Sequence, residues 1–326
     1  MWRYSRHFEQ QRVDYDREER EKSMKRLLVA GVVACAIATI ILTPATAFGT
    51  IIVNDSWADG GRNNGADALD ADWWSSTSSN NISVEVGSGF LGLVTGTSGR
   101  SLHGTFANQP LAIGDMLTAT LTFMTPATVG TIGSAGLKLA LADFNNAGLA
   151  ADLQSSSTFP QPLYFSLPSY MLDFDINSAG ATDDTSIRRH NANATGRFLG
   201  ITAEWTQLGT SPDITYSFTP NTEYVVVLSL ARTGVGSMDI FGSLTRSNVL
   251  LTSHTQSDAS ATVNSIGLLG VYANSSAFGS TNAFGLADNG IDFTNIRIEV
   301  IPEPSALALI MFGLAGLTVA KFRRRR

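Results

Sequence analysis

The sequence predicts a mainly-β protein, a two-sheet sandwich or jelly roll flanked by an N-terminal signal helix and a C-terminal transmembrane helix. Three observations carry this. Between Thr50 and Val300 no long segment has a 3.6-residue apolar period. Short β-rich runs recur there instead, separated by Gly, Asn, Ser and Pro clusters. Finally, an apolar run beside basic residues stands near each end of the chain.

Composition narrows the class. The chain has 326 residues, of which 44% are hydrophobic and 15% charged, with a formal net charge of −6. That apolar content excludes a disordered polyelectrolyte, which cannot bury enough surface to offset ordering entropy. Charge is also segregated: residues 48–301 keep nine basic against 21 acidic side chains, while the two ends are basic or mixed. An acidic middle is a poor match for nucleic acid, whose phosphates need a basic stripe. The sole cysteine, Cys35, precedes the middle, so no disulfide and no Cys-ligated zinc can form within it.

Taken in order, the chain begins with residues 1–23, which hold six basic and six acidic side chains. This is a long and acidic lead for a signal peptide, and Met24 is accordingly expected to be the true start. Residues 24–47 then follow the secretory layout: Met24-Lys25-Arg26, an apolar run from Leu27 to Leu42, a Thr43-Pro44 break, and small residues at Ala45 and Ala47. The run falls short of the roughly 20 residues of a permanent anchor, so cleavage near Ala47 is expected, with the secretion machinery as partner.

Residues 48–300 form the exported domain. Ten strands are expected in it: Ile82 to Val86, Phe90 to Val94, Met116 to Phe123, Leu137 to Leu141, Tyr170 to Ile176, Ile214 to Phe218, Glu223 to Leu230, Ser237 to Leu244, Val263 to Tyr272 and Ile291 to Val300. In the third, Leu117, Leu121 and Phe123 share one face. In the last, Phe293 and the set Ile296, Ile298 and Val300 are out of phase by one residue, as a bulge would make them.

Residues 301–326 read Ile301-Pro302-Glu303-Pro304, an apolar run from Ser305 to Ala320, then Lys321, Phe322 and Arg323, Arg324, Arg325 and Arg326. The run makes about 24 Å of helix, slightly short for a hydrocarbon core of about 30 Å unless its flanks contribute or the bilayer thins. The arginines should stay cytoplasmic, which leaves 48–301 on the far side of the membrane. Pro302-Glu303-Pro304, the helix and the arginine cluster in that order resemble the PEP-CTERM sorting signal, over about 25 residues. The resemblance implies export, retention in the inner membrane by the tail, processing near Pro302–Pro304 by an exosortase-type transpeptidase, and delivery to the surface or an exopolysaccharide-rich matrix. A plain stop-transfer anchor would explain the helix and the arginines but not the Pro-Glu-Pro. Within the middle, Thr219-Pro220-Asn221-Thr222-Glu223-Tyr224-Val225-Val226-Val227, Leu230-Ala231-Arg232, Asp292-Phe293-Thr294-Asn295-Ile296-Arg297-Ile298 and the Asp55–Gly60 opening resemble laminin-G/concanavalin-like jelly rolls. That likeness implies a fold and no ligand.

Chemistry is sparse. His103, His190 and His254 show no H-x-x-x-H or H-E-x-x-H spacing, and no G-x-S-x-G elbow occurs. Asp173, Asp175 and Asn177 place hard oxygen ligands at alternate positions, which suits Ca²⁺, and Asp183-Asp184 could add a carboxylate. The same alternation fits a strand with Leu172, Phe174 and Ile176 inward and the aspartates in solvent. Trp73, Trp74 and Trp205 could stack on sugar faces of an extracellular polysaccharide. Trp73 and Trp74 are adjacent, however, so in an extended strand one is expected buried and one half-exposed. Arg188-Arg189-His190 reads as a small basic spot on a solvated loop. The expectation is therefore a protein that is no enzyme and needs no cofactor. A carbohydrate-binding module is the alternative, and a polysaccharide-active enzyme ranks behind both.

Overall fold

The computed structural model describes Met24 and residues 49–302, apart from 64–67, 76–81, 85–88, 96–98, 131–135, 145–151, 153–166, 175–184, 192–197, 200–201, 212–215 and 279–289. Both terminal apolar runs lie outside the described residues, as do Ala45, Ala47, Glu303, Pro304 and the four terminal arginines. Among the described residues no helix is long and apolar enough to cross a membrane. Phe48–Glu303 forms one unit by itself.

Alternation organises the first sheet. Leu117, Ala119, Leu121 and Phe123 are buried and the threonines between them are half-buried, so the Met116–Met124 segment lays one apolar face on a core. Eight strands join in this way: β1 (Thr50–Asp55), β3 (Ile82–Val84), β4 (Leu91–Leu93), β6 (Met116–Met124), β11 (Glu223–Gly234), β12 (Ser237–Arg246), β13 (Val249–Asp258) and β15 (Ile291–Ile301). Their order is β13-β12-β11-β6-β15-β4-β3, with β1 also on β15. The second sheet holds β2 (Asp72–Ser75), β5 (Arg100–Pro110), β7 (Leu137–Ala142), β8 (Ser169–Phe174), β9 (Thr185–His190), β10 (Trp205–Gln207) and β14 (Ser265–Ala273). Its order is β10-β9-β8-β7-β14-β5-β2. Every described pairing is antiparallel. The architecture is thus a mainly-β, two-sheet sandwich. The predicted phase change in the last strand is a register shift between Phe293 and Asn295 against β6.

The core between the sheets includes Leu121, Phe123, Val226 and Phe293 from one side and Leu139, Leu172 and Val271 from the other. Phe123 stacks on Tyr224 at 5.6 Å and 16°. Tyr216 and Phe218 fill space beside them, with Phe218 edge-on to Phe278 at 5.4 Å. This corrects the described part of the expected strand at Ile214–Phe218: 216–219 carry no strand, and Tyr216 and Phe218 plug the core from a loop, while 214 and 215 lie outside the described residues. Six strands were not expected (β1, β2, β5, β9, β10 and β13), because most of them are too polar or too short to alternate visibly.

The central strands of the seven-stranded sheet, β7, β8 and most of β14, are buried on both faces. Beyond the main core, Ala140, Ala142, Met171 and Leu268 on its outer side pack with Phe144, Phe198, Leu199 and Trp205 in a second apolar cluster. Gly270 belongs to this arrangement: a Cβ there would lie 2.8 Å from Leu199 Cδ1, so glycine lets the covering residues sit directly on the sheet.

Candidate functional site

The outer face of the seven-stranded sheet concentrates the polar chemistry of the domain. Strand register lines up Ser186, Asp173, Lys138, Tyr272 and Ser101 on five neighbouring strands. Lys138 is the only lysine between Lys25 and Lys321, and only 1% of it is exposed. Its Nζ lies 3.8 Å from Asp173 Oδ2 and 5.4 Å from the centre of the Tyr272 ring. Arg188 Nε lies 3.5 Å from the same Asp173 oxygen and donates to Ser186 Oγ at 2.9 Å. A charge removed from water persists only where opposite charge and polar contacts replace the lost solvation, and here Asp173 opposes both cations while Ser186 accepts from Arg188. The reading of Asp173 as solvent-facing is therefore corrected. The second apolar cluster covers this side of the sheet, and the aspartate answers two cations there. Asp175, Asn177, Asp183 and Asp184 lie outside the described residues. Among the described residues no group of three or more His, Cys, Asp or Glu side chains is placed to hold a metal ion.

The basic spot is also resolved differently. Arg188, Arg189 and His190 lie on β9, not on a loop, and strand alternation sends the two arginines to opposite sides. Arg189 crosses toward the other sheet, donating to Asp258 Oδ1 at 2.8 Å. Tyr170 Oη donates to Asp258 Oδ2 at 2.9 Å, so burial and the carboxylate keep the phenol protonated. His190 Nδ1 lies 3.0 Å from the Leu167 carbonyl, and its ring centre is 4.7 Å from that of Trp205. Burial lowers the pKa of both buried imidazoles, that of His103 to about 3. They are neutral packing groups at ordinary pH, so neither is a charged anion ligand.

The three tryptophans separate clearly. Trp73 points inward, 1% exposed, with Nε1 donating to Asp55 Oδ2 at 2.7 Å and its ring 5.6 Å from that of Trp57. It lies on Gly104 of β5, where a Cβ would come within 2.7 Å of Trp73 Cζ3. Asp55 Oδ1 accepts the Trp57 N–H at 2.9 Å, and Trp57 sits in the left-handed region at φ 52. Burial raises the Asp55 pKa against the lowering effect of these donors. Trp205 is buried, with Nε1 donating to the Phe198 carbonyl at 2.8 Å. As placed, neither Trp73 nor Trp205 offers a ring face to a sugar. Trp74, next along the edge strand β2, is half-buried on the outer side, as its adjacency to Trp73 requires.

Sequence reasoning passed over Lys138, Asp55 and Tyr272. For Lys138 a signal existed: one lysine in a stretch of some 250 residues otherwise served by arginine marks an unusual environment. Asp55 was read only as part of the Asp55–Gly60 opening, and for Tyr272 there was no signal, since its place beside Lys138 arises from strands brought together by the fold.

The tail has an independent match. Residues 300–326 match the PEP-CTERM protein-sorting motif. No curated protein matches the chain. Among solved structures it is similar to lectin II from Ulex europaeus (13% identity, 71% of this chain and 92% of that one, TM-score 0.37). It is also similar to the VIP36 exoplasmic/lumenal domain in its Ca²⁺/Man-bound form (11%, 77% and 91%, TM-score 0.43) and to the Lotus tetragonolobus seed lectin (8%, 78% and 98%, TM-score 0.41). At TM-scores of this size the likeness is loose.

Proposed function

We propose that the chain is a non-enzymatic exported protein, sorted by its C-terminal tail and displayed at the cell surface or in an exopolysaccharide-rich matrix. The observation that carries this is the junction at Ile301. The sorting motif begins at residue 300, and β15, a strand with neighbours on both sides, runs to Ile301 and gives way at once to an exposed Pro302. A completed sandwich therefore ends where the sorting signal starts, the arrangement expected of folded cargo with a removable label. In this reading the signal peptide is cleaved after Ala47, the helix of 305–320 holds the chain in the inner membrane, and Arg323–Arg326 keep the tail from being drawn through. An exosortase-type transpeptidase then acts near Pro302–Pro304. Asp173 is already opposed by Lys138 and Arg188, and no cofactor enters the reading.

Glu303→Ala is expected to leave export intact while the tail stays attached, read by mass spectrometry of the C-terminal peptide of the mature protein. Unchanged processing would reduce the tail to a plain anchor. A carbohydrate-binding role would now rest on Trp74 alone of the three tryptophans. Loss of glycan retention in Trp74→Ala, on an array where the parent domain is retained, would establish it.

A further inference from the structure

The two ends of the sandwich emerge side by side. Thr50, the first residue of β1, pairs with Val300, and Ile301 pairs with Met116 at the start of β6. The chain therefore enters and leaves at one pole of the eight-stranded sheet. The same pole carries two apolar loop tips. Ile113, 48% exposed, lies in the turn that leads into β6, and Val235, 89% exposed, lies in the turn between β11 and β12. The turns are tied together: Gly114 N donates to the Arg232 carbonyl at 2.7 Å and Arg232 N to the Asp115 carbonyl at 2.9 Å. Their polar groups are engaged, with Asp115 Oδ2 accepting the Ala112 N–H and Arg232 donating to the Leu111 carbonyl at 2.6 Å. Turn tips are usually polar, and a glycine-flanked valine held out into solvent is a departure from that rule.

Exposure alone would not select this pole. The β12–β13 hairpin, at the far end of β12 and about 30 Å away by strand rise, exposes Val249 at 61% and Leu250 at 58%. Chain length decides between them. The apolar run begins at Ser305, three residues after Pro302, a reach of at most about 10 Å. The headgroup layer on each side of a bilayer is itself about 5–8 Å deep. With the tail in the membrane, a link that short brings the Ile301 pole against the headgroups.

We propose that this pole docks on the lipid bilayer surface, with Ile113 and Val235 seated in the headgroup layer. The proposal rests on the tail reading given above, and its test separates the two. The signal-cleaved chain, residues 48–326, which contains no cysteine of its own, is labelled with an environment-sensitive fluorophore at Ile113→Cys, Val235→Cys or Val249→Cys. It is then reconstituted into vesicles of phosphatidylethanolamine and phosphatidylglycerol containing a headgroup nitroxide. Quenching at 113 and 235 is expected to exceed that at 249 by about threefold or more, as insertion by about 5–10 Å would give. Protein that stays with the vesicles after carbonate washing while 113 and 235 are quenched no more than 249 would overturn the docking proposal and leave the tail reading standing. Protein washed off the vesicles would overturn both.

Discussion

Along β6 of the eight-stranded sheet every second residue is buried, whereas β7 and β8 of the seven-stranded sheet are buried at every position. Both sheets face the same core. They differ in what lies outside them: β6 turns Thr118, Thr120 and Thr122 outward, half-buried, while the other sheet is roofed by Phe198, Leu199 and Trp205. One sheet meets the ordinary condition of an antiparallel sheet with one wet face, and the other is enclosed as parallel sheets usually are. Enclosure has a consequence for charge. A lysine on the open face would simply be hydrated, but on the roofed face Lys138 requires Asp173 and the Tyr272 ring beside it.

The largest expected effect breaks that compensation. Asp173→Ala leaves Lys138 and Arg188 facing each other out of water and should destabilise by about 3–5 kcal/mol, read as a fall in the urea midpoint. A stability close to the parent's would mean that water reaches the row. Next is a matched pair on the two outward faces. Met171→Ala empties a site under the roof and should cost about 2–5 kcal/mol, whereas Thr120→Ala on the open face should stay within about 0.5 kcal/mol. Equal costs would erase the distinction between the sheets.

The smallest of the three effects concerns acid. The folded state holds His103 neutral, with its pKa lowered to about 3 from 6.5, so below 6.5 the unfolded chain binds the extra proton. Stability is therefore complete above about 6.5 and is lost as pH falls toward 3, with a loss of about 2 kcal/mol by pH 5 at 1.36 kcal/mol per unit. His190, lowered in the same direction, adds to it. Asp55 has the opposite sign: its raised carboxyl takes up a proton earlier in the fold and gains stability on acidification. Urea titrations at pH 7 and pH 5 should show a smaller pH difference in His103→Gln than in the parent. An identical difference would remove the imidazole as the cause.

Legibility followed the same division. Leu117, Leu121 and Phe123, and the phase change before Ile296, could be read directly because each alternating strand reports its own burial. The strand β5, Arg100–Pro110, could not, because His103, Gly104 and Thr105 fit no apolar pattern and earn their places only beside Trp73, Trp74 and Gly270. Asp173 was placed on a strand correctly and on the wrong side of the water boundary. Alternation says which way a side chain points and nothing about what another part of the chain lays over it.

By itself the sequence determined the β class, the alternation of the open sheet and the sorting motif at the C-terminus, because these depend on near neighbours along the chain. The tertiary structure alone decided that the central strands of the second sheet are buried on both faces, that Trp73 and Trp205 are interior, and that Thr50 and Val300 share one pole. Those outcomes depend on residues from 27 to 250 positions apart coming into van der Waals range, and no local period encodes such a meeting.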